Sequence, residues 1–306
     1  MSVSDFEQVA VLGFGTMGAG IAQVVAQSGR AVRVLETDER RLADGHRRVA
    51  EFLSAGVARG KLTEVDRDAV LGRITGTTDV ADLAGVELVI EAVVEDRELK
   101  ARLWPGVAEA VGADAVLVTN TSALSVTDLA ALVPGPARFA GLHFFNPAPL
   151  MKLVEVVRAL QTASSVVQRL REFCAAIGKT PVEVKDRPGF LINKLLMPYL
   201  NDVITEYDAG LANAQDLDTA MELGLGYKMG PLTLLDVIGL DNHHHATYSA
   251  YQQTLDPQFA PPPLLGQMVA AGYLGNKSGR GFRAGGGIEG RIEGCIEGGG
   301  TEGGDR

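Results

Sequence analysis

Short apolar runs and longer amphipathic segments alternate through the first half of the chain. The runs at 8–13 (QVAVLG), 31–36 (AVRVLE) and 87–92 (ELVIEA) are rich in Val, Leu and Ile, which predicts buried strands. Between the first two runs, residues 16–29 carry apolar side chains at helical spacing. A strand, a helix and a second strand within about thirty residues are typical of the βαβ unit of a parallel sheet.

The same alternation continues to about residue 186 and then stops. Further strands are predicted at 115–118, 139–144, 151–157 and 180–185, and further helices at 38–57, 64–73, 96–111 and 163–178. Nearly everything from 188 to about 283 has helical spacing instead. We therefore predict an α/β fold in which a Rossmann-like, doubly wound, mostly parallel sheet domain, 1–186, is followed by an all-helical domain, 187–283.

A different composition marks the end of the sequence. Residues 284–306 repeat Ile-Glu-Gly three times and are rich in glycine, so they hold too little apolar surface to order themselves. We expect a disordered tail there, and its IEGR also resembles an engineered protease site.

The overall composition is that of a globular protein and argues against several functional classes. The chain has 306 residues, 46% of them hydrophobic, and a net charge of −10 without a long basic run, which argues against a nucleic-acid binder. No segment reaches the ~18 apolar residues that span a bilayer, and acidic residues stand where a signal peptide carries positive charge. Two cysteines make no disulfide framework, so we expect a cytoplasmic protein without membrane contacts.

A glycine-rich loop joins the first predicted strand to the first predicted helix. Gly13, Gly15 and Gly18 have the G-x-G-x-x-G spacing, with Thr16 and Met17 at the start of the helix. Such a loop turns tightly, lets a pyrophosphate approach the backbone, and brings the helix close to the strand. The helix N-terminus then faces the negative phosphates. The loop predicts a dinucleotide site.

An acidic residue, Glu36, ends the second predicted strand, where a dinucleotide's adenosine ribose would lie. Its carboxylate can accept hydrogen bonds from the ribose hydroxyls and would repel a 2′-phosphate. This favours NAD over NADP, although the nearby Arg33, Arg40 and Arg41 act against that preference. The predicted cofactor is NAD.

One histidine and one glutamate stand in the apolar stretch GLHFFNPAPLMKLVEV, 141–156. His143 ends one predicted strand and Glu155 lies within the next, so two neighbouring strands can bring the side chains together. An ionisable group in apolar surroundings is costly unless it is paired. The residues alone leave two interpretations open, because such a pair can serve either stability or chemistry.

With these motifs together, the chain resembles the 3-hydroxyacyl-CoA dehydrogenase family, and its short bacterial 3-hydroxybutyryl-CoA dehydrogenases in particular. The resemblance runs from residue 7 to about residue 283. It is carried by VLGFGTMGAGIA, ELVIEAVVEDRELK, LVTNTSALS, RFAGLHFFNPAPLMKLVEVV, DRPGFLINKLL, MGPLTLLDVIGLD and GYLGNKSGRGF, in this order. That many segments in one order make the resemblance specific.

The resemblance implies an activity and a set of site residues. It implies NAD-dependent interconversion of a short-chain (S)-3-hydroxyacyl-CoA and the 3-ketoacyl-CoA, in an enzyme that dimerises with a second copy through the helical domain. The implied catalytic residues are His143 and Glu155 as the proton-transferring pair, with Ser122 and Asn193 as substrate contacts. The implied NAD contacts are Gly13, Gly15, Thr16, Met17, Gly18, Glu36, Glu95, Lys100 and Asn120.

The role of the histidine pair follows from ordinary acid–base chemistry. Oxidation removes a proton from the 3-hydroxyl, and histidine is the side chain that exchanges protons near neutral pH. A carboxylate beside it fixes the tautomer and favours the imidazolium that forms, as in a catalytic triad. Ser122 and Asn193 suit donors to the substrate's C3 oxygen, but they equally suit a helix N-cap and a solvated helix residue.

Several alternatives remain open at this point. The same chemistry could act on an acyl group held by an acyl carrier protein in secondary-metabolite precursor biosynthesis. β-Hydroxyacid dehydrogenases share a GFGTMG-like start but use a lysine base, and a non-catalytic dinucleotide-binding protein would have lost the histidine or the glutamate. The consecutive residues His243, His244 and His245 cannot share one helical face, so we predict no metal site.

Overall fold

The computed structural model of the protein describes residues 6–284 and divides the chain into two units after Phe190. In the first unit, eight strands form one sheet in the order β3-β2-β1-β4-β5-β6-β7-β8. The strands are β1 Gln8–Leu12, β2 Ala31–Leu35, β3 Ile74–Thr77, β4 Leu88–Glu91, β5 Val116–Thr119, β6 Phe139–Phe144, β7 Leu153–Arg158 and β8 Thr180–Lys185. Only the β6–β7 pairing within this sheet is antiparallel.

Helices cover both faces of this sheet. They are α1 Thr16–Gln27, α2 Glu39–Ala58, α3 Glu64–Gly72, α4 Arg97–Ala110, α5 Val126–Ala130 and α6 Ser164–Ala176, with short 3₁₀ turns at Val80–Leu83 and Pro136–Arg138. Alternate residues of β1 enter different cores: Val9 and Val11 pack with α1, α2, α3 and α6, whereas Ala10 and Leu12 pack with α4 and α5. A strand buried on both faces explains its continuous apolar run. The predicted doubly wound, mostly parallel sheet is confirmed.

The sequence prediction missed one strand of this sheet. β3 consists of only four residues, Ile-Thr-Gly-Thr, of which the two central ones are exposed. So short a segment carries no apolar run, and its identity as a strand depends on pairing with β2 at the sheet edge.

The second unit is helical, as predicted. It contains α7 Ile192–Asp208, α8 Ala214–Leu225, α9 Pro231–Ile238, α10 Leu240–Thr254 and α11 Pro263–Ala270, with 3₁₀ turns at Pro257–Phe259 and Asn276–Ser278. Leu200, Ile204, Leu232 and Leu235 lie in its main core. The carboxylate of Asp236 accepts hydrogen bonds from three consecutive backbone N–H groups, 282–284, and so ties the end of the described chain to α9.

Two expectations from the sequence concern the glycine-rich tail and membrane-spanning helices. The predicted tail, 284–306, lies outside the described residues apart from its first residue. Across residues 6–284, the helices are all too short or too polar to cross a membrane.

Candidate active site

The candidate site lies at the carboxyl edge of the sheet. The strand order reverses between β1 and β4, and ligands of doubly wound sheets bind in the crevice at such a point. The residues that follow β1, β4 and β5 include the glycine loop, Glu95 and Asn120. The topology thus brings these predicted cofactor residues to one edge.

The glycine loop has the shape that a dinucleotide pyrophosphate requires. Gly13 has φ +88°, which L side chains rarely adopt, and a Cβ on Gly18 would lie 1.9 Å from the Gly13 carbonyl oxygen. By contrast, a Cβ on Gly15 would meet nothing within 4 Å, so the space above it is open. Thr16 and Met17 begin α1, so their backbone N–H groups face that space. This cradle fits the phosphates of NAD.

Glu36 directly follows β2 and is held against the glycine loop. Its Oε1 accepts a hydrogen bond from the Phe14 N–H at 2.7 Å, and its Oε2 accepts one from the Thr37 N–H at 2.9 Å. A cavity of about 720 Å³ runs from Gly13 and Glu36 to Val93. The fixed carboxylate therefore faces a space of the size of a small-molecule site.

Two of the three arginines near Glu36, Arg33 and Arg41, have protein partners of their own. Arg33 donates to the carbonyl oxygen of Asp82, and the Arg41 guanidinium lies 3.5 Å from the Asp38 carboxylate. Since Arg33 is held by the backbone and Arg41 by an acid, these two cations oppose the charge of Glu36 less than the sequence suggests. The geometry favours NAD over NADP.

His143 and Glu155 are direct partners across the antiparallel pair β6–β7. Residues opposite one another in such a pair project their side chains from the same face. His143 is 6% exposed and Glu155 is 1% exposed, and His143 Nδ1 lies 2.7 Å from Glu155 Oε2. The imidazole also contacts the rings of Phe145 and Phe190, with centroid distances of 4.6 and 5.5 Å. The ring is thus held by one carboxylate and two aromatic walls.

This hydrogen bond assigns the two ring nitrogens different tasks. A carboxylate accepts hydrogen bonds, so Nδ1 carries the proton that is donated to Glu155. Nε2 then holds the lone pair that can take a further proton. The arrangement suits a general base oriented by an acid, and the catalytic role of the pair stays a prediction.

Asn120 links the cofactor edge to the histidine strand. It directly follows β5, and its Oδ1 accepts a hydrogen bond from the Phe144 N–H at 2.8 Å. Phe144 is the residue after His143, so the amide side chain fixes the backbone beside the histidine. The cofactor contact implied for Asn120 stays a prediction, and the hydrogen bond to Phe144 was not foreseen from the sequence.

Glu95 and Lys100 belong to a partly buried network that includes a third residue, Glu91. Lys100 is 1% exposed, and its Nζ lies 3.0 Å from Glu91 Oε2 and 2.9 Å from Glu95 Oε2. Glu91 also accepts from the Val93 N–H at 2.9 Å and from the Thr119 hydroxyl at 2.6 Å. Lys100 is therefore bound to two carboxylates of the protein rather than projecting into an open cleft.

Glu95 accepts hydrogen bonds from the turn that carries Ser122. Its Oε1 accepts from the Thr121 hydroxyl, from the Ser122 N–H at 2.9 Å and from the Ala123 N–H at 3.1 Å. Burial raises the pKa of Glu95, but the Lys100 charge and these hydrogen bonds outweigh burial and lower the pKa below its ordinary value. Glu95 therefore stays ionised while it holds the turn.

Glu91 is a site residue that the sequence prediction missed. It is 0% exposed and ends a strand whose other residues are Leu, Val and Ile. Like Glu155, Glu91 is an acid within an apolar strand, and its burial is costly unless it is paired. That signal was present in the sequence.

The two predicted substrate contacts lie in different units. Ser122 is exposed in the turn after β5, and the N-cap of α5 is Ser125, whose hydroxyl accepts from the Asp128 N–H. The helix-cap interpretation therefore applies to Ser125 and not to Ser122. Asn193 lies in the first turn of α7, in the second unit, and its role as a substrate contact stays a prediction.

The three consecutive histidines of α10 have separate surroundings. His243 is 3% exposed and its Nε2 lies 3.0 Å from Asn201 Oδ1, while the His244 ring stacks on Tyr248 and His245 is exposed. Burial lowers the pKa of His243 to about 4, so this imidazole is neutral at pH 7. Within residues 6–284, no cluster of His, Cys, Asp and Glu side chains is placed to hold a metal ion.

Known protein families match both units of the chain. The family model described as "3-hydroxyacyl-CoA dehydrogenase, NAD binding domain" matches residues 8–187. The model described as "3-hydroxyacyl-CoA dehydrogenase, C-terminal domain" matches residues 189–285.

Individual relatives match over almost the whole chain. A 3-hydroxybutyryl-CoA dehydrogenase of Mycobacterium tuberculosis is 44% identical over 278 residues, which cover 90% of this chain and 97% of that protein. The mitochondrial hydroxyacyl-coenzyme A dehydrogenase of Sus scrofa is 40% identical over 284 residues, which cover 90% of each protein. The crystal structure of an (S)-3-hydroxybutyryl-CoA dehydrogenase from Ralstonia eutropha matches with a TM-score of 0.88 at 39% identity, covering 90% of this chain and 98% of that one.

Proposed function

Since this chain belongs to the 3-hydroxyacyl-CoA dehydrogenase family, we propose that His143 and Glu155 move the proton in its reaction and that its substrates are short-chain (S)-3-hydroxyacyl-CoA thioesters. The chain is an NAD-dependent dehydrogenase that interconverts 3-hydroxyacyl-CoA and 3-ketoacyl-CoA. The observation that carries the proposal is the buried contact of 2.7 Å between His143 Nδ1 and Glu155 Oε2 at the carboxyl side of the sheet.

The proposed path of the proton follows from the two ring nitrogens. Bound NAD supplies the acceptor for the hydride that leaves C3. As C3 becomes a carbonyl carbon, the proton of the 3-hydroxyl passes to Nε2 of His143. The resulting imidazolium lies against the Glu155 carboxylate, which stabilises its charge in a site with little water. In the direction of reduction, the same imidazolium returns the proton to the C3 oxygen.

We assign a polarising role to Ser122 and Asn193. Each carries a side-chain donor suited to the C3 oxygen, on which negative charge develops during reduction. The three hydrogen bonds to Glu95 Oε1 support this role for Ser122, because they fix the turn from which its hydroxyl projects. Removing one such donor typically slows a reaction about 10²–10³-fold.

Replacement of the histidine tests the proposed mechanism. We expect His143→Gln to lower kcat for acetoacetyl-CoA reduction by about 10²–10⁴-fold while NADH still binds. His245→Gln is a matched control, because this imidazole is exposed on α10 and outside the proposed machinery. A His143→Gln protein with full activity would overturn the mechanism and leave the family assignment intact.

Whether CoA or an acyl carrier protein carries the acyl group requires a separate comparison of substrates. The proposal predicts higher kcat/KM for acetoacetyl-CoA than for the same acyl group on an acyl carrier protein, and higher kcat/KM for four-carbon than for long-chain thioesters. A preference for the carrier-bound substrate would support the alternative role in secondary-metabolite precursor biosynthesis. The assays use NADH and NADPH in parallel, and Glu36 predicts a preference for NADH.

We further propose that the enzyme is a homodimer joined through the helical unit. Large apolar side chains are exposed there, among them Leu211, Leu223, Leu225 and Val237, at 67%, 83%, 63% and 53%. Exposed apolar patches commonly mark interfaces between subunits. We expect Leu223→Asp to yield monomers in light scattering after gel filtration, whereas Leu160→Asp, at an 87% exposed leucine of the sheet unit, leaves the dimer intact.

The proposed location is the cytoplasm. The low number of cysteines, two among 306 residues, supports this location. Cys174 is a buried free thiol, which suits a reducing compartment. A fluorescent fusion imaged at the membrane instead of throughout the cell interior would refute this location.

A further inference from the structure

Glu91, Lys100 and Glu95 form a cluster whose formal charges do not cancel. The two oxygens of Glu91 accept from the Val93 N–H, the Thr119 hydroxyl and the Lys100 ammonium. The Thr119 oxygen itself accepts from the Thr121 N–H at 3.2 Å, so its own proton is directed to Glu91. Each of these neighbours donates to an oxygen of Glu91, which matches the acceptor-only hydrogen bonding of a carboxylate.

Glu95 has the same kind of surroundings. Its two oxygens accept from a hydroxyl, two backbone N–H groups and Lys100. With both acids ionised and one ammonium between them, the three side chains carry a net charge of −1. Glu91 and Lys100 are at most 1% exposed, whereas the Glu95 side chain is 37% exposed, so solvent screens the charge of Glu91 less than that of Glu95.

The cluster lies against the proposed cofactor cleft. Glu91 is the last residue of β4, at the switch point where doubly wound sheets bind their ligands. The next residue, Ala92, packs on the first glycine of the loop, because a Cβ on Gly13 would come within 2.9 Å of the Ala92 carbonyl oxygen. A charge on Glu91 therefore lies beneath the cofactor cleft, where it changes the electrostatic potential at a bound cofactor.

We propose that Glu91 sets the preference of the site for the oxidised over the reduced cofactor. The nicotinamide ring carries a positive charge in NAD⁺ and none in NADH, so a net charge of −1 nearby favours NAD⁺. The Lys100–Glu95 pair is formally neutral, so the net negative charge of the cluster is the one that Glu91 adds from beneath the site. The inference rests on NAD as the cofactor and is independent of which acyl group is the substrate.

The test compares the two dissociation constants in the absence of any thioester. Glu91→Gln changes the formal charge of the cluster from −1 to 0 at nearly constant shape. One unit charge within roughly 10 Å of a cation, at an effective dielectric of about 20, changes an affinity on the order of tenfold. We therefore expect the ratio of Kd for NAD⁺ to Kd for NADH, measured by fluorescence and calorimetric titration, to rise about tenfold.

Two further variants separate charge from structure. Glu91→Gln/Lys100→Met has a formal charge of −1 again, from Glu95 alone, and we expect its ratio to return to within about threefold of the original value. Glu87→Gln is the matched control: this carboxylate accepts from the Glu7 and Gln8 N–H groups at the opposite edge of the sheet, and its loss leaves the ratio unchanged.

Both constants are measured on one preparation, so a misfolded fraction lowers the binding stoichiometry and leaves the ratio unaffected. An unchanged ratio in Glu91→Gln would overturn the inference. So would an equal shift in Glu87→Gln, a double variant that matches the single one, or a Glu91→Gln protein that binds neither form. The titrations contain no substrate, so a failure of the proposed reaction, seen as absent turnover of any 3-ketoacyl thioester, is distinguishable from these outcomes.

Discussion

Replacement of Glu155 by glutamine removes one negative charge beside His143 and keeps the size of the side chain. The Nδ1–Oε2 distance of 2.7 Å places the centres of the imidazolium and carboxylate charges about 4 Å apart. At that separation, unit charges attract by about 4 kcal/mol at an effective dielectric of about 20. Loss of this stabilisation from the transition state slows the reaction about 10³-fold. A glutamine amide can also donate to Nδ1, which would leave the proton on the wrong nitrogen.

The assay follows NADH absorbance during acetoacetyl-CoA reduction, at saturating concentrations of both. We expect Glu155→Gln to lose about 10³-fold in kcat, with Kd for NADH changed less than about threefold. Glu183→Gln is the matched control, because Glu183 lies on β8 opposite Val156 and pairs with Arg158 and Arg171 at the surface. Its kcat should stay within about twofold of the parent value, since exposed ion pairs contribute little.

One result would refute this reasoning directly. If Glu155→Gln retained kcat within tenfold of the parent at unchanged Tm and NADH affinity, the carboxylate would not stabilise the imidazolium. The buried pair at β6–β7 would then be structural, which is the interpretation that the residues alone left open. A large loss of Tm calls for Glu155→Asp, which keeps the charge and is expected to recover part of kcat.

Three further predictions concern the loop, the buried histidine and the C-terminal segment. Gly18→Ala places a Cβ 1.9 Å from the Gly13 carbonyl oxygen, so NADH binding measured by fluorescence should weaken at least tenfold, whereas Gly106→Ala, where nothing lies within 4 Å, should not alter it. His243 has a pKa of about 4 in the folded chain against an ordinary value of 6.5, so the unfolded chain takes up the proton first and stability is lost as pH falls below 6.5. Urea unfolding should show that this loss, about 2 kcal/mol between pH 7 and pH 5, is absent in His243→Gln. Asp236→Asn, which weakens three charge-assisted hydrogen bonds, should lower the free energy of unfolding by about 3 kcal/mol in the same assay.

The sequence predicts the sheet well because both of its faces are covered. A strand buried on two sides needs a continuous apolar run, and such runs stand out between amphipathic helices. β3 fails this test, since only its first and last residues are buried. Its position depends on the hydrogen bonds of β2, which no local pattern records.

The contact between His143 and Glu155 could be foreseen only in outline. The sequence places the two residues in consecutive strands, but the register of a pairing is specified by pattern only when the connection is a tight turn. Here the connection is the eight-residue segment 145–152, with Pro147 and Pro149, so the register could not be derived. The structure sets it, with Gly141 opposite Val157 and His143 opposite Glu155.

A general consequence follows for carboxylates within apolar strands. Glu91 and Glu155 are both at most 1% exposed, and the burial of either requires donors or a cation nearby. For Glu155 the partner lies directly across the next strand, so adjacency of the strands is enough to suggest it. For Glu91 the partner is Lys100, on the helix that packs over the strand end, and the sequence offers no distance that would connect them. A buried acid in an apolar strand thus predicts that a partner exists, but which residue is the partner is determined by the tertiary fold. Lys100 is held by two protein carboxylates, and one of them, Glu91, is a residue that the loop motifs do not include.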